Sequence, residues 1–241
     1  MTEVLFMGLG VLINAAAVVI GTLIGVMLKN VLKERVTNVI MQGLGVTVLG
    51  AGILDLADGT AKLSANGFKW GVLFIVLAVV LGGVTGSLIH LQDGLDRLGG
   101  FLQRKLSKDE NSTLGKAFVN ATLITCVGAM VVYGSIRSGL GDNDTLYLKS
   151  VMDAFVCMAL AVRYGFGVAL SAIPMLIIQG AFALCGGLLS NYIIGTNFEY
   201  LLTAVGGTLV MCVGINILEI KEIRTADLVP AIAFCLLVYL F

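Results

Sequence analysis

One histidine, one tryptophan and two prolines stand in 241 residues, and only 12% of the residues carry charge. Soluble domains carry about 25% charged residues, so an ordinary soluble domain is excluded. Acidic and basic residues balance at fifteen each, and no global charge points to a partner. The five cysteines (Cys126, Cys157, Cys185, Cys212, Cys235) show no CxxC spacing, and His90 stands alone. That argues against a zinc or iron–sulfur site. No phosphate loop or dinucleotide-binding glycine pattern occurs in a suitable context, so no cofactor is expected. Outside one stretch near residue 100 there is no basic patch for nucleic acid.

What the chain does have is apolar. Hydrophobic residues make up 58%, glycines number 31, and the mean hydropathy is +1.01. The expected fold class is all-α, a polytopic transmembrane helix bundle. A span needs about 20 mostly apolar residues. Eight segments qualify: Leu5–Leu28, Val36–Leu56, Phe68–Leu91, Ala117–Ile136, Leu146–Val162, Gly167–Ser190, Leu201–Ile220 and Leu228–Phe241. No Lys or Arg precedes the first run, so it reads as a retained helix rather than a signal peptide. Eleven Lys and Arg fall on one side of this outline and four on the other. The positive-inside rule then puts both termini outside a bacterial inner membrane. Between the third and fourth spans, Leu91, Leu95, Leu98, Leu102 and Leu106 recur at helical spacing among charges. Residues 92–110 are expected to form a helix on the membrane surface.

The first and last thirds resemble each other. INAAAVVIGTLIG, from Ile13, lines up with IQGAFALCGGLLS, from Ile178, so Asn14 meets Gln179 and Gly21 meets Gly186. After a one-residue slip, QGLGVTVLGAGILDL, from Gln42, meets GGTLVMCVGINILEI, from Gly206. An odd number of spans precedes the second unit. The expectation is an inverted-topology repeat, 5–91 and 167–241, flanking central helices at 117–162. Such repeats build many secondary transporters, with the site near the midplane.

Asp153 is the polar residue that needs most explanation. A carboxylate at the centre of a membrane segment costs roughly 2.5–3.5 kcal/mol even on the lenient insertion scale. Three readings stay open: protonation, pairing with Lys149 (one turn earlier) or Arg137, and binding of a transported ion. The other candidate binding residues are Asn14, Asn120, Ser135, Ser150, Gln179 and Asn216, where plain interhelical hydrogen bonding is the competing reading. If a metal binds at all, Asp153 is its expected ligand. Pro174 should free a carbonyl inside the sixth span, and glycines suggest an unwound element near Gly134 and Ser135. Ser135 and His90 fall at opposite ends of the membrane, so no catalytic dyad is expected and the chain reads as a non-enzyme.

Several stretches together carry a likeness: Cys126–Met130, Gly134, Ser135, Gly139, Leu140, Lys149–Phe155, Gly165–Gly180, Val205–Gly207, Gly214–Lys221 and Leu228–Ala231. On these the chain resembles the bacterial membrane family called domain of unknown function 554, the YdfK/YqgA-like proteins. That resemblance implies a multi-pass inner-membrane protein and brings no substrate with it. The family pattern has Pro where Ala129 stands, so a proline-made break is not carried over, and it tends to Asn where Asp227 stands. Met152–Phe155 also looks like the acidic element of small manganese exporters of the LysE-like class. The expected function is secondary transport of an ion or small solute. A channel-like pore or a non-transport membrane scaffold or assembly protein is the alternative. The expected partners are the lipid bilayer, the solute and a second copy of the chain, a homodimer first.

Overall fold

A computed structural model describes residues 8–29, 31–106, 113–126, 129–186 and 193–240. Among them every regular element is helical and none is a strand. The helices are α1 (Leu9–Lys29), α2 (Glu34–Ala65), α3 (Gly71–Leu88), α4 (Leu91–Leu106), α5 (Leu114–Cys126), α6 (Ala129–Gly139) and α7 (Asp144–Tyr164). A 3-10 segment, Gly165–Ser171, leads into α8 (Ala172–Leu184). Then come α9 (Asn197–Ile217), the short turns α10 (Thr225–Leu228) and α11 (Ala231–Phe234), and a final 3-10 segment, Cys235–Leu240.

Five helical runs among the described residues are long and apolar enough to cross a membrane, and six if the bent pair α5 and α6 counts as one span. The helices are amphipathic in the sense that suits lipid. On α1, Gly10, Asn14, Gly21, Thr22 and Gly25 are buried while Leu12, Ile20 and Met27 are exposed. Small and polar residues face protein and large apolar ones face outward, because lipid welcomes the latter and helices pack closest through the former.

The chain forms two compact units: Met1–Leu44, Leu95–Cys126 and Met130–Leu188 in the first, and Gly45–Gly94, Val127–Ala129 and Leu189–Phe241 in the second. In the first, α1 lies along α7 in the same direction. Gly10 abuts Leu146, while a Cβ at Gly21 would overlap the Ala154 carbonyl and one at Gly25 the Met158 carbonyl. The run Asp144–Leu184 is 41 residues long, but it doubles back. Its turn is at Gly165, where φ is +79°, a conformation glycine takes without the Cβ penalty. Its far leg brings Ala183 against Gly139, beside Ser138, whose carbonyl accepts from the Gly8 amide. Asn143 Oδ1 accepts from the Gly10 amide at 2.8 Å and clamps the start of α1. The surface-helix stretch packs through glycine too, Gly99 against the Gly115 backbone.

In the second unit α2 and α9 run antiparallel. Gly45 meets Leu218, Gly59 meets Ala204, and Gly52 and Gly207 face each other reciprocally, a Cβ on either falling 2.6 Å from the other's carbonyl oxygen. Likewise Gly82 fits against the Ala231 backbone and Gly86 against Asp227. Thr196 caps the start of α9: its Oγ1 accepts from the Glu199 amide at 3.5 Å, and Glu199 Oε2 accepts from the amide of Gly195, just before the cap, at 2.6 Å.

Four expectations need correction. α2 runs on to Ala65 rather than stopping at Leu56: Gly59 is held in the helix by its close packing on Tyr200 and Ala204, and an Asp58–Lys62 pair at 2.8 Å bridges its last turns. Gly134 and Ser135 lie in regular helix. The break expected there falls instead between Cys126 and Ala129, where α5 and the helix continuing from Met130 make an angle of 64°; residues 127 and 128 lie outside the described set. Pro174 sits in the first turn of α8, where a missing N–H costs least; the irregular backbone is the 3-10 segment before it. The last span is not one helix, because Pro230 separates α10 from α11. The surface helix is described only to Leu106.

Candidate functional site

Apolar burial explains most of α7, which is 21 residues long. Lys149 and Asp153 are the exceptions. At 1.5 Å rise per residue, Asp153 stands about 14 Å into the helix. Lys149 Nζ lies 2.8 Å from both carboxylate oxygens, and the two side chains are 9% and 5% exposed. The spacing i, i+4 puts both on one helical face. Hydrogen-bond geometry is met at Oδ1 only; Oδ2 touches the ammonium but accepts no hydrogen bond. Arg137, the other cation considered, is engaged elsewhere, with Asp142 at 3.0 Å and the Tyr133 hydroxyl at 2.6 Å.

Across from this level of α7 stands Asn14 of α1, one turn after Gly10 and two before Gly21. The contacts of those glycines with Leu146 and Ala154 set Asn14 level with Ser150. Asn14 Nδ2 donates to Gln179 Oε1 and approaches Met175 Sδ, both at 3.4 Å, the long end of hydrogen-bond range. Asn14 and Gln179 are fully buried, yet Asn14 Oδ1 and Gln179 Nε2 have no partner. The two amides that the repeat alignment sets opposite each other are in contact.

The hydroxyls divide into two sets. Thr22, Thr125, Ser150 and Ser171 donate to carbonyls of their own turns, at 2.8, 2.9, 2.6 and 2.8 Å. Ser135 and Thr122, equally buried, have no partner. Thr122 is one turn from Cys126, which lies within electrostatic reach of Lys149 and Asp153, as does Cys157. Asn120 is half-buried on α5. An unmade hydrogen bond on a buried polar atom costs about 1–3 kcal/mol. Five such atoms, on Asn14, Thr122, Ser135, Asp153 and Gln179, all fall in the first unit.

Asn216 belongs to the second unit, where its amide clamps a loop. It donates to the Ile223 carbonyl at 2.8 Å and accepts from the Ile223 amide at 2.7 Å, which leaves little capacity for a ligand. Thr122, Ser138 and Asn143 were missed by the sequence reading. For Asn143 the signal was present: a short polar Gly-Asp-Asn-Asp run before a helix.

The second unit has its own polar knot. Asp227 accepts from the Gln92 amide at 2.8 Å and from Arg224 Nε at 2.7 Å, and Arg224 Nη2 donates to Asp93 at 2.7 Å. Gln92 Oε1 in turn accepts from the Ala226 amide at 3.1 Å. The Arg224 hydrogen bond holds the Asp93 carboxyl below the usual carboxylate range. Among the described residues no group of three His, Cys, Asp or Glu side chains could hold a metal ion.

The profile of the protein family of unknown function DUF554 matches residues 9–240. The chain belongs to this family. It is 28% identical over 224 residues to the "Uncharacterized membrane protein YdfK" of Bacillus subtilis (strain 168), with 92% of each chain covered. It is 29% identical over 234 residues to the "Uncharacterized protein YqgA" of Escherichia coli (strain K12), with 94% of each covered. No solved structure is a significant match. The DUF554 chain is a membrane protein, as the apolar helices and the relative YdfK agree.

Proposed function

We propose that this DUF554 protein is a small secondary transporter of the bacterial inner membrane, with both termini outside, and that the Lys149–Asp153 level of the first unit is its solute site. The observation that carries this reading is the buried ion pair, one of whose carboxylate oxygens accepts no hydrogen bond. A buried pair kept for stability alone needs further hydrogen bonds on its remaining lone pairs to offset desolvation. Here those bonds are missing, and four other buried polar atoms of the same unit also lack partners. Such a set suits a ligand or water that comes and goes.

The repeat belongs to the same reading. α1 touches α8 through Asn14 and Gln179, α2 packs antiparallel on α9, and α3 packs on the segment around Asp227 and Ala231. Within each unit, helices of the first third meet helices of the last third, which supports an inverted repeat. An eight-pass chain follows when α5 and α6 form one span, Asp144–Leu184 two, and Thr225–Tyr239 the last.

The test is gradient-driven flux in proteoliposomes, with protons, sodium, manganese, magnesium and small anions as the panel. Saturable movement of one solute is expected, lost in Lys149→Gln/Asp153→Asn, which removes both charges and keeps the shape. Equal flux in that variant would refute the site. No flux in the wild type, with folded protein, would favour a scaffold.

A further inference from the structure

Resting on that transport reading, we propose that the site takes a small anion together with one proton. The argument is charge balance around Lys149 and Asp153. The pair is neutral as it stands, with the ammonium 2.8 Å from both oxygens. A cation entering would have to displace Lys149 from the carboxylate, and the described residues offer no cluster of ligands to hold a metal. An anion entering alone would leave an uncompensated negative charge at membrane depth, and a proton entering alone an uncompensated ammonium. Either state is costly, because an unpaired buried charge keeps its full desolvation penalty.

Both entering together avoid that cost. A hydronium ion loses its proton, one of its O–H bonds breaking to leave water, and an O–H bond forms at Asp153 Oδ2, the oxygen that accepts no hydrogen bond. The carboxyl is then neutral, and the Lys149 ammonium turns its charge to the anion. On release the O–H bond breaks, the proton returns to water, and Lys149 re-forms the pair. Three of the five unpartnered atoms of this unit suit an anion, while Asn14 Oδ1 is an acceptor. Gln179 Nε2, Ser135 Oγ and Thr122 Oγ1 are donors, and Asn14, in contact with Gln179, is set level with Ser150.

Few other charges face the switch. α1 and α8 carry no ionisable side chain before Lys29, and Gly165–Ser171 carries none. α5 contributes Cys126, α7 its own Cys157, and α6 Tyr133 and Arg137, the latter paired with Asp142. Asp153 is thus the one carboxylate placed to take the proton at this level among the described residues.

The experiment loads proteoliposomes with a pH-sensitive dye and imposes inward gradients of nitrate, methanesulfonate or phosphate. The first two, as anions of strong acids, do not cross as free acids. The expected result is acidification of the lumen by one or more of these anions in the wild type, and its loss in Lys149→Gln/Asp153→Asn. Infrared difference spectra on adding the same anion should show a new protonated-carboxyl band that Asp153→Asn lacks. Proton movement driven only by a sodium or manganese gradient would overturn the anion assignment and leave the transport reading standing. Anion entry without a proton would overturn the coupling. Silence with every gradient, cations included, would overturn both.

Discussion

Asn14 Nδ2 donates to Gln179 Oε1 at 3.4 Å across α1 and α8, and each amide keeps one polar atom without a partner. A contact optimised for stability would be shorter and would leave nothing unmade. Asn14→Ala removes one partner and strands Gln179 further, so it should lower stability by about 1–3 kcal/mol. Asn14→Leu/Gln179→Leu removes both buried amides and should melt at or above the wild-type temperature in detergent. The same double variant should lose transport. Thermal melts and flux on one set of preparations separate the two effects.

Lys149→Met should be among the most damaging single substitutions, at about 3–5 kcal/mol, because it leaves Asp153 buried and unpaired. Lys149→Gln/Asp153→Asn should recover most of that loss. A double-mutant cycle from detergent unfolding checks this. Additive losses would mean that the 2.8 Å contact carries no coupling.

Gly21, in the seam between α1 and α7, and Gly180, on α8, give a matched pair of tests. A Cβ at Gly21 would overlap the Ala154 carbonyl, whereas one at Gly180 would meet nothing within 4 Å. Gly21→Val should cost about 1–3 kcal/mol through overpacking. Gly180→Ala should gain about 0.5–1 kcal/mol from helix propensity. Melting temperatures of the two variants should therefore move in opposite directions.

The start of α4 should respond to pH through Asp93. Its carboxyl is held low by Arg224, so the folded value lies below the unfolded one. The contribution is then present above the unfolded value and is lost as pH falls through the folded one. The contact of Arg224 Nη2 with Asp93 at 2.7 Å should persist at neutral pH and be lost as pH falls through the lowered Asp93 value, read by NMR at the Arg224 guanidinium. Asp93→Asn should remove that acid step.

The membrane class, the order of the helices and the face of α1 were legible because lipid imposes one rule on every span: apolar residues outward, small and polar ones inward. Asn14, Ala17, Gly21 and Gly25 share one face at helical spacing; the structure buries Asn14, Gly21 and Gly25 and leaves Ala17 half-buried. Lys149 and Asp153 were legible as a pair because i, i+4 fixes their proximity within one helix. Ends and breaks were harder. Extension of α2 to Ala65, the bend after Cys126 and the 3-10 entry to α8 depend on neighbours far along the chain. Thr122 has no local signature either: it reads like any helical threonine, and only the fold shows that its hydroxyl lacks a partner. Asn216 looked like its fellow amides, but a loop seven residues later occupies it.

The most direct test of a transport site at this level needs no knowledge of the solute. Ser150 is buried beside the ion pair and donates to its own helix, so Ser150→Cys reports on water access there. In a chain whose native cysteines are replaced by alanine or serine, a membrane-impermeant thiol reagent is added to one side of proteoliposomes and then to the other. Modification from both sides is the expected result. A thiol that reacts from neither side in folded protein would contradict a transport site at Lys149 and Asp153.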